Sequence, residues 1–189
     1  MARKAADSLV IRGRAPLRAL SAPQRVRILE RLLAVAEPLS IRDVAIALKR
    51  PPAALYHHFA ILERAGLVAQ AGLRGEGRNA ERVYAPAART LHAAEPRTKG
   101  ERDELARAGE TQVRYALRRF SRAVRTGGAA IQGDKRTTSV RHVTLRVSPD
   151  QLAALNRDIN ALTAKWARAA ATDDGVPLSL LVLLAPETA

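Results

Sequence analysis

The sequence contains no cysteine, and only 3% of its residues are aromatic. Without cysteine, disulfides and thiolate metal sites are both excluded, so any metal site would have to use His, Asp or Glu. The longest apolar run, VPLSLLVLLAP at residues 176–186, is far shorter than the roughly 20 residues of a membrane-spanning helix. The N-terminal 20 residues also lack an uninterrupted apolar segment, so no signal peptide is expected. These absences predict a cytoplasmic protein without a membrane role.

What the sequence does contain is an excess of positive charge. Its 189 residues include 32 Lys and Arg against 18 Asp and Glu, a net charge of +14. Such an excess favours a polyanionic partner, either nucleic acid or an acidic membrane surface. Residues 1–90 carry 16 basic and 7 acidic side chains, whereas residues 91–189 carry 16 and 11. The first half is therefore the better candidate for binding a polyanion.

Residues 1–15 are basic and without periodicity, which predicts a flexible N-terminus. Residues 16–88 predict three helices and a β-hairpin. A first helix begins near Ser21 as cap and ends before Pro38, and a second spans Ile41 to Leu48 behind a Ser40 cap.

A third helix is predicted from about Pro52 to Ala65, after a turn that two prolines impose and before Gly66. Two helices joined by a tight turn are typical of a helix-turn-helix. Two short strands, LVAQAGLR and ERVYA, flank GEGRNA and predict a hairpin that would form a wing.

The second half predicts three further segments. Residues 89–126 are interpreted as a linker and a long amphipathic helix, and residues 127–139, rich in Gly, Thr and Ser, as a flexible loop. Residues 140–189 predict a β-α-β unit: the strand RHVTLRV, a helix capped by Ser148, and the strand LSLLVLL after Asp173 and Asp174. The fold class expected is therefore α+β.

The run from Ser21 to Ala85 resembles the winged helix-turn-helix domain of the ArsR-type bacterial repressors. The resemblance lies in LSAPQRVRILERLL, in LSIRDVAIALKRPPAALYHHFAILERAGLV and in a basic hairpin that ends in ERVYAPA. It covers about a third of the chain and nothing after about residue 90. It implies a cytoplasmic, nucleoid-associated transcriptional regulator, most simply a repressor, that binds double-stranded operator DNA.

The third helix is the segment expected to meet DNA. Its apolar positions share one face, which leaves Ala53, Ala54, Tyr56 and His57 on other faces. The resemblance implies that Ala54, Tyr56 and His57 occupy base-reading or phosphate-contacting positions. Ala54 departs from the family, which often has Ser or Thr there, and offers only apolar contact.

Basic side chains flank that helix. Lys49 and Arg50 precede it and would reach backbone phosphate. Arg74, Arg78 and Asn79 lie near the predicted hairpin tip, which in the family approaches the neighbouring minor groove. Each side chain could equally be an ordinary solvated group.

A homodimer is expected because one short recognition helix reads few base pairs and two-fold pairing doubles the site. The apolar stripe of the long helix provides surface for such pairing, with intramolecular packing as the alternative. Its members are Leu105, Val113, Leu117, Phe120 and Val124.

The adjacent pair His57 and His58 raises the question of a metal. Two ligands on one helix face need a spacing of three or four, and no position at that spacing from either histidine can bind a metal. His58 is interpreted as a half-buried, hydrogen-bonded packing residue and His57 as exposed toward DNA. His92 and Glu95 are interpreted as linker residues, so no metal and no cofactor is expected.

The alternative functions are an RNA-binding or protein-docking module and, less favoured, a metal-sensing repressor or an enzyme. Gly72, Gly75 and Gly77 resemble part of a phosphate loop, but the Gly-Lys-Ser/Thr ending and the following helix are absent, so no enzyme is expected. An RNA-binding or protein-docking module on a winged helix is the more favoured alternative, weakened for single-stranded RNA by the scarcity of aromatic residues. The C-terminal unit has three candidate roles: completing the dimer, holding a small-molecule effector, or binding a protein.

Overall fold

The computed structural model describes residues 6–35, 37–169, 175–176 and 178–187. It divides into two compact units. One comprises residues 1–112 with 170–175, and the other residues 113–169 with 176–189. The two units are described separately below.

The first unit combines helices with two small sheets. Its elements, in chain order, are β1 (Ala6–Ile11), α1 (Arg14–Leu20), α2 (Pro23–Leu33), β2 (Leu39–Ser40), α3 (Ile41–Leu48), α4 (Tyr56–Arg64), β3 (Val68–Arg74), β4 (Glu81–Pro86) and β5 (Ala88–Ala93). The helix α5 (Lys99–Arg125) begins in this unit and ends in the second, which also contains α6 (Pro149–Arg168).

The helix-turn-helix is formed by α3, a turn and α4. Ser40 caps α3 as predicted: its Oγ accepts a hydrogen bond from the Asp43 amide at 3.2 Å, and the Asp43 carboxylate accepts one from the Ser40 amide at 2.8 Å. This reciprocal pair satisfies two amides that the first helical turn cannot. After Lys49, which ends α3, the prolines open a 3₁₀ turn over Pro52–Ala54. Helix α4 therefore begins at Tyr56, four residues later than predicted.

The end of α4 follows the expected chemistry of glycine. Gly66 has φ +70°, a conformation that side chains with Cβ rarely adopt. Its amide donates to the Glu63 carbonyl, and the Leu67 amide donates to the Leu62 carbonyl, both at 2.9 Å. This Schellman pair stops the helix and turns the chain into β3.

The prediction that Ser21 caps the first helix was wrong. The cap of α2 is Ala22, without a side-chain hydrogen bond, and Ser21 instead ends α1, a short helix that the sequence patterns did not indicate. The Ser21 hydroxyl donates to the Leu17 carbonyl at 3.1 Å. The Ser21 hydroxyl is therefore bonded to the end of α1, which precedes α2, and does not cap α2.

The predicted hairpin is present. Strands β3 and β4 pair antiparallel, from Val68 opposite Pro86 to Arg74 opposite Glu81, with an irregularity between Gln70 and Gly72. The two residues of β2 add to β4, giving the order β2-β4-β3. The hairpin is thereby attached to the start of α3.

The N-terminal residues differ from the prediction of a flexible segment spanning 1–15. Residues 6–11 form β1, which pairs in parallel with β5 from Ala6 opposite Ala88 to Ile11 opposite Ala93. The predicted linker from residue 89 is correspondingly a strand as far as Ala93. Ile11 is 6% exposed and belongs to the core, so apolar burial together with a second strand fixes this segment.

The core of the first unit lies beneath α4. Most of its side chains are aliphatic, and the ring of Phe59 packs against that of Tyr84 with centroids 4.9 Å apart. The beginning of α5 closes one side: Ala108 is buried, and the Thr111 hydroxyl donates to the Ser21 carbonyl at 3.1 Å. Thus α5 starts as part of this unit's structure.

The second unit contains a well-capped helix, but the predicted strands beside it are not formed. Ser148 and Gln151 make the expected capping box on α6. Residues 141–147 and 178–184 do not form strands, and their apolar side chains are exposed, Val143 by 69% and Leu183 by 69%. A strand needs a hydrogen-bonded neighbour, and neither segment has one among the described residues. The β-α-β prediction was therefore wrong; Asp173 and Asp174, its predicted turn, lie outside the described residues.

Residues 127–139 form a loop, as predicted. Its ends are joined by hydrogen bonds, from the Thr137 amide to the Ala130 carbonyl at 2.8 Å and from the Ala130 amide to the Thr137 hydroxyl at 3.0 Å.

Candidate nucleic-acid interface

The recognition helix presents two different faces. Leu55, Phe59 and Leu62 are each at most 1% exposed and anchor it to the core. Burying each such side chain contributes roughly 1.5–3 kcal/mol, enough to fix the helix rigidly. Tyr56 is 61% exposed, and His57 with the two alanines of the preceding turn, Ala53 and Ala54, is exposed as well. The structure therefore brings these four predicted contact residues to one accessible end of the helix.

The two adjacent histidines have different environments. Their ring centroids are 6.0 Å apart; His57 is exposed and His58 is half-buried, as the helical spacing predicted. The expected hydrogen bond of His58 is absent at Nδ1, which is buried without a partner among the described residues. Burial lowers the pKa of His58, and the charges of Arg25 and His57 lower it further. The folded structure therefore favours the neutral form of His58 over its charged form.

Arg25 is a residue that sequence reasoning missed. From α2 its Nε donates to the Ala19 carbonyl at 2.6 Å, and one terminal nitrogen donates to the Arg18 carbonyl at 2.9 Å. Burial and the neighbouring charge of Arg18 lower the pKa of Arg25. The side chain thus satisfies carbonyls at the end of α1 and places a charge near His58. No sequence signal could have shown this, because α1 itself was not predicted.

Basic residues in the turn precede the recognition helix. Lys49 and Arg50 are both exposed, and the Arg50 amide donates to the Ala45 carbonyl at 2.9 Å. Lys49 has φ 53° and ψ 53°, the left-handed conformation. Its backbone is therefore held in a conformation that L-residues disfavour, while its ammonium group stays in solvent.

The hairpin arginine expected to contact DNA is instead engaged within the protein. Arg74 donates to the Asp43 carboxylate at 2.6 Å and lies 3.9 Å from a Glu81 oxygen. Arg42 pairs with the other Glu81 oxygen at 3.2 Å. These four side chains, which we call the hairpin clamp (Arg42, Asp43, Arg74 and Glu81), join the first turn of α3 to both strands of the hairpin. Arg74 is thus a cross-link rather than a free charge at the tip.

The same clamp perturbs the titration of Asp43. Partial burial raises the pKa of the carboxyl group, but the hydrogen bonds from the Ser40 amide and from Arg74 outweigh burial, so its pKa lies below the ordinary value. The charged form needed for both the cap and the clamp is therefore retained into mildly acidic solution.

The hairpin tip contains Gly75 and a 3₁₀ turn over Gly77–Asn79. Gly75 has φ +89°, and a Cβ at this position would lie 2.9 Å from the Asn79 carbonyl oxygen, so the tip is compact. Asn79 is exposed, as its predicted role requires; the side chain of Arg78 lies outside the described part of the structure.

The apolar stripe predicted for dimerisation is divided between two environments. Leu105 packs against the core of the first unit, so it serves intramolecular packing. Val113 and Phe120 are half-buried, whereas Leu117 is 58% and Val124 39% exposed. Only the later part of the stripe is available to a partner.

His92, which was predicted to lie in the linker, differs from expectation. His92 lies within β5, opposite Val10, rather than in a linker, and both His92 and Glu95 are exposed. Within the described residues, no group of three or more His, Asp or Glu side chains could hold a metal ion.

Comparison with known proteins finds a similarity in part of the first unit. A family model described as a helix-turn-helix domain matches residues 20–71, and the family it represents includes ArsR-like regulators. The match spans α2, α3, α4 and the beginning of β3. No curated protein matches the chain. No helix among the described residues is both long and apolar enough to cross a bilayer. The helix-turn-helix indicates a DNA-binding regulator.

Proposed function

We propose that the chain is an ArsR-like winged helix-turn-helix repressor that binds operator DNA as a homodimer and carries out no chemical reaction on it. The observation that supports this most directly is the division of α4: three buried anchors on one face and the exposed Tyr56 and His57 on another. Anchors on a rigid core hold the exposed side chains at fixed positions, which sequence reading requires.

The dimensions of the recognition helix suit the major groove. An α-helix with its side chains is about 10–12 Å in diameter, and the groove is about 12 Å wide and admits one α-helix. Tyr56 and His57 supply hydrogen-bonding groups at the leading end, while Ala53 and Ala54 offer apolar contact, for instance to a thymine methyl group. Lys49 and Arg50, which lie in the turn, bind phosphates of the DNA backbone.

In this proposal the hairpin is the wing. The hairpin clamp joins the ends of both strands nearest the tip to α3, so the exposed tip with Asn79 has a defined direction. Arg74 acts by positioning the wing, and Asn79 is the residue that reaches the neighbouring minor groove.

Homodimerisation would use the later part of the α5 stripe. Leu117 and Val124 are exposed and apolar, and pairing of two copies would bury them. Substitution of Leu117→Asp should convert the dimer to a monomer in analytical ultracentrifugation. Leu105→Ala, within the first unit's core, should lower stability while leaving the dimer intact.

Selection of bound duplexes from a random DNA pool tests the function itself. The wild-type chain should enrich one two-fold symmetric sequence. His57→Ala should change the selected bases, whereas Arg50→Ala should weaken binding to all sequences alike. His92→Ala, an exposed histidine outside the helix-turn-helix, serves as the matched control and should leave the selection unchanged.

Three results would reject the proposal: an unenriched pool, tighter binding to single-stranded RNA at the same salt concentration, or a His57→Ala pool identical to wild type. The repressor role requires a further measurement. A reporter gene downstream of the selected sequence should be expressed less when the chain is present, and an increase would indicate an activator.

A further inference from the structure

The net positive charge of the second half comes from one segment. Residues 113–147 contain nine Lys and Arg and one Asp, a net charge of +8. Residues 91–112 have four basic and five acidic side chains, and residues 148–189 have three and five. All of the basic excess beyond residue 90 therefore lies in this segment of the second unit.

Four of these basic residues form a stripe along α5, which we call the arginine stripe: Arg114, Arg118, Arg122 and Arg125. Their spacings of four, four and three place them on one helix face, where they extend over about 16 Å. All four are exposed, and Arg118, Arg122 and Arg125 form no ion pair with any carboxylate in the described residues.

Such a stripe destabilises the helix that carries it. Like charges at a spacing of four cost a few tenths of a kcal/mol per pair. Between residues 111 and 133 the sequence has no Asp or Glu that could relieve this repulsion. Arg118, Arg122 and Arg125 have no Asp or Glu within four residues along the helix. A surface field of one sign attracts a partner of the opposite charge, such as a polyanion.

The geometry of α5 favours a phosphate backbone over a membrane. The apolar positions of α5 lie on a different side of the helix, about 120° around its axis from the arginines. They are Val113, Leu117, Phe120 and Val124. A helix that binds a bilayer surface must bury its apolar side in the lipid. In the proposed dimer that side, with Leu117 and Val124, packs against the second copy, so only the arginine stripe is left for an external partner. Single-stranded RNA is disfavoured too, because it needs exposed aromatic rings, and the Tyr115 ring is half-buried beneath Arg119, whose guanidinium carbon lies 5.9 Å from the ring centroid.

We propose that the arginine stripe binds the sugar-phosphate backbone of duplex DNA, as a second and sequence-independent contact beside the helix-turn-helix. Guanidinium groups donate paired hydrogen bonds to phosphate oxygens, and successive arginines along the stripe rise about 6 Å, so neighbouring side chains can reach different phosphates. This contact adds affinity for any duplex and does not distinguish one base sequence from another.

The test compares two full-length triple variants that lose the same charge. One replaces Arg118, Arg122 and Arg125 by Gln; its control replaces Arg97, Arg102 and Arg157, exposed arginines outside the segment. Affinity for a random-sequence duplex is measured by fluorescence anisotropy over a range of salt concentrations.

Loss of three phosphate contacts should reduce the slope of log K against log salt by about 2.7 and weaken binding on the order of 100-fold at 0.15 M salt. The control should change the slope by less than about 1. A stripe variant with Lys at the three positions should recover most of the slope, and circular dichroism should show unchanged helix content in every variant.

Equal slopes in the two Gln variants would overturn the proposal. So would loss of binding to phosphatidylserine vesicles with an unchanged DNA slope, which would assign the stripe to a membrane. Failure of the proposed helix-turn-helix function is distinguishable, since it would appear as an unenriched selection pool while the slope difference on random duplex persisted.

Discussion

Lys49 occupies the turn of the helix-turn-helix in a conformation that suits glycine. With φ 53° and ψ 53° it is the non-glycine residue with positive φ among the described residues. This conformation costs an L-residue roughly 1–2 kcal/mol, whereas glycine adopts it freely but loses about 0.5–1 kcal/mol more backbone entropy on folding. Lys49→Gly should therefore stabilise the first unit by a net of about 0.5–1 kcal/mol.

The same substitution removes a charge that is proposed to bind phosphate. Thermal unfolding followed by circular dichroism should show a midpoint about 2–8 °C higher for a unit of this size. DNA binding should lose about 0.9 from the slope of log K against log salt. Stability and affinity are thus expected to change in opposite directions.

Lys49→Ala is the matched control, because it removes the same charge but keeps a Cβ in the left-handed conformation. It should lower the salt slope as Lys49→Gly does and give no increase in stability. Equal unfolding midpoints for the Gly and Ala variants would show that the backbone at this position is not strained and would refute the reasoning.

Three further predictions concern the helix-turn-helix. Ser40→Ala should lower the free energy of unfolding in urea by about 1 kcal/mol, because it removes the α3 cap, whereas Ser40→Gly should cost only a few tenths; equal losses would contradict the capping role. Phe59→Ala should cost about 3–5 kcal/mol and exposed Tyr56→Ala within about 0.5 kcal/mol by the same assay, so comparable losses would exclude the burial of Phe59. Because the pKa of His58 is lowered on folding, the unfolded state binds more protons and stability should fall as pH drops below about 6.5. Thermal melts between pH 5 and 8 should show a shallower fall for His58→Gln, and identical pH profiles would rule out His58 as the cause.

Local chemistry was sufficient to predict the helix-turn-helix and the hairpin. The Ser40 cap, the prolines of the turn and Gly66 each act through neighbours within a few residues, so their effects can be read from sequence. The start of α4 was misplaced because the proline pair favours a 3₁₀ turn before the α-helix begins. Beyond that shift, the faces of α4 follow from its periodicity.

Elements that depend on distant partners were missed. Strand β1 is fixed by β5, more than 80 residues away, and its own sequence has only Leu9 and Ile11 at least partly buried. The opposite error occurred at residues 141–147, where strict alternation predicted a strand that has no neighbour in the described structure. Alternation states which face could be buried, but the hydrogen bonds of a strand come from elsewhere in the chain.

The sequence predicted correctly which side chains of the site are exposed. It did not predict which charged side chains form ion pairs within the protein. Tyr56 and His57 are exposed because the opposite face of their helix is buried, which the sequence periodicity already indicates. Arg74 was expected to be free, but it forms ion pairs with Asp43 and Glu81. These residues are close together only because of the way the hairpin packs on α3. Charge composition identifies basic residues but cannot distinguish those that already have a partner.

The small number of polar groups on α4 bears on how the proposed function would achieve specificity. Tyr56 and His57 are its leading polar side chains, and a good contact to a base edge discriminates by about 1–3 kcal/mol. One helix would then provide roughly 2–6 kcal/mol, whereas specific regulators typically prefer their site by about 4–10 kcal/mol. Two copies on a symmetric operator would double the first value and reach that range. The arginine stripe cannot replace the second copy, because phosphate contacts strengthen binding to correct and incorrect sequences alike. A Leu117→Asp monomer should therefore keep much of its affinity for random duplex but lose most of its preference for the selected sequence.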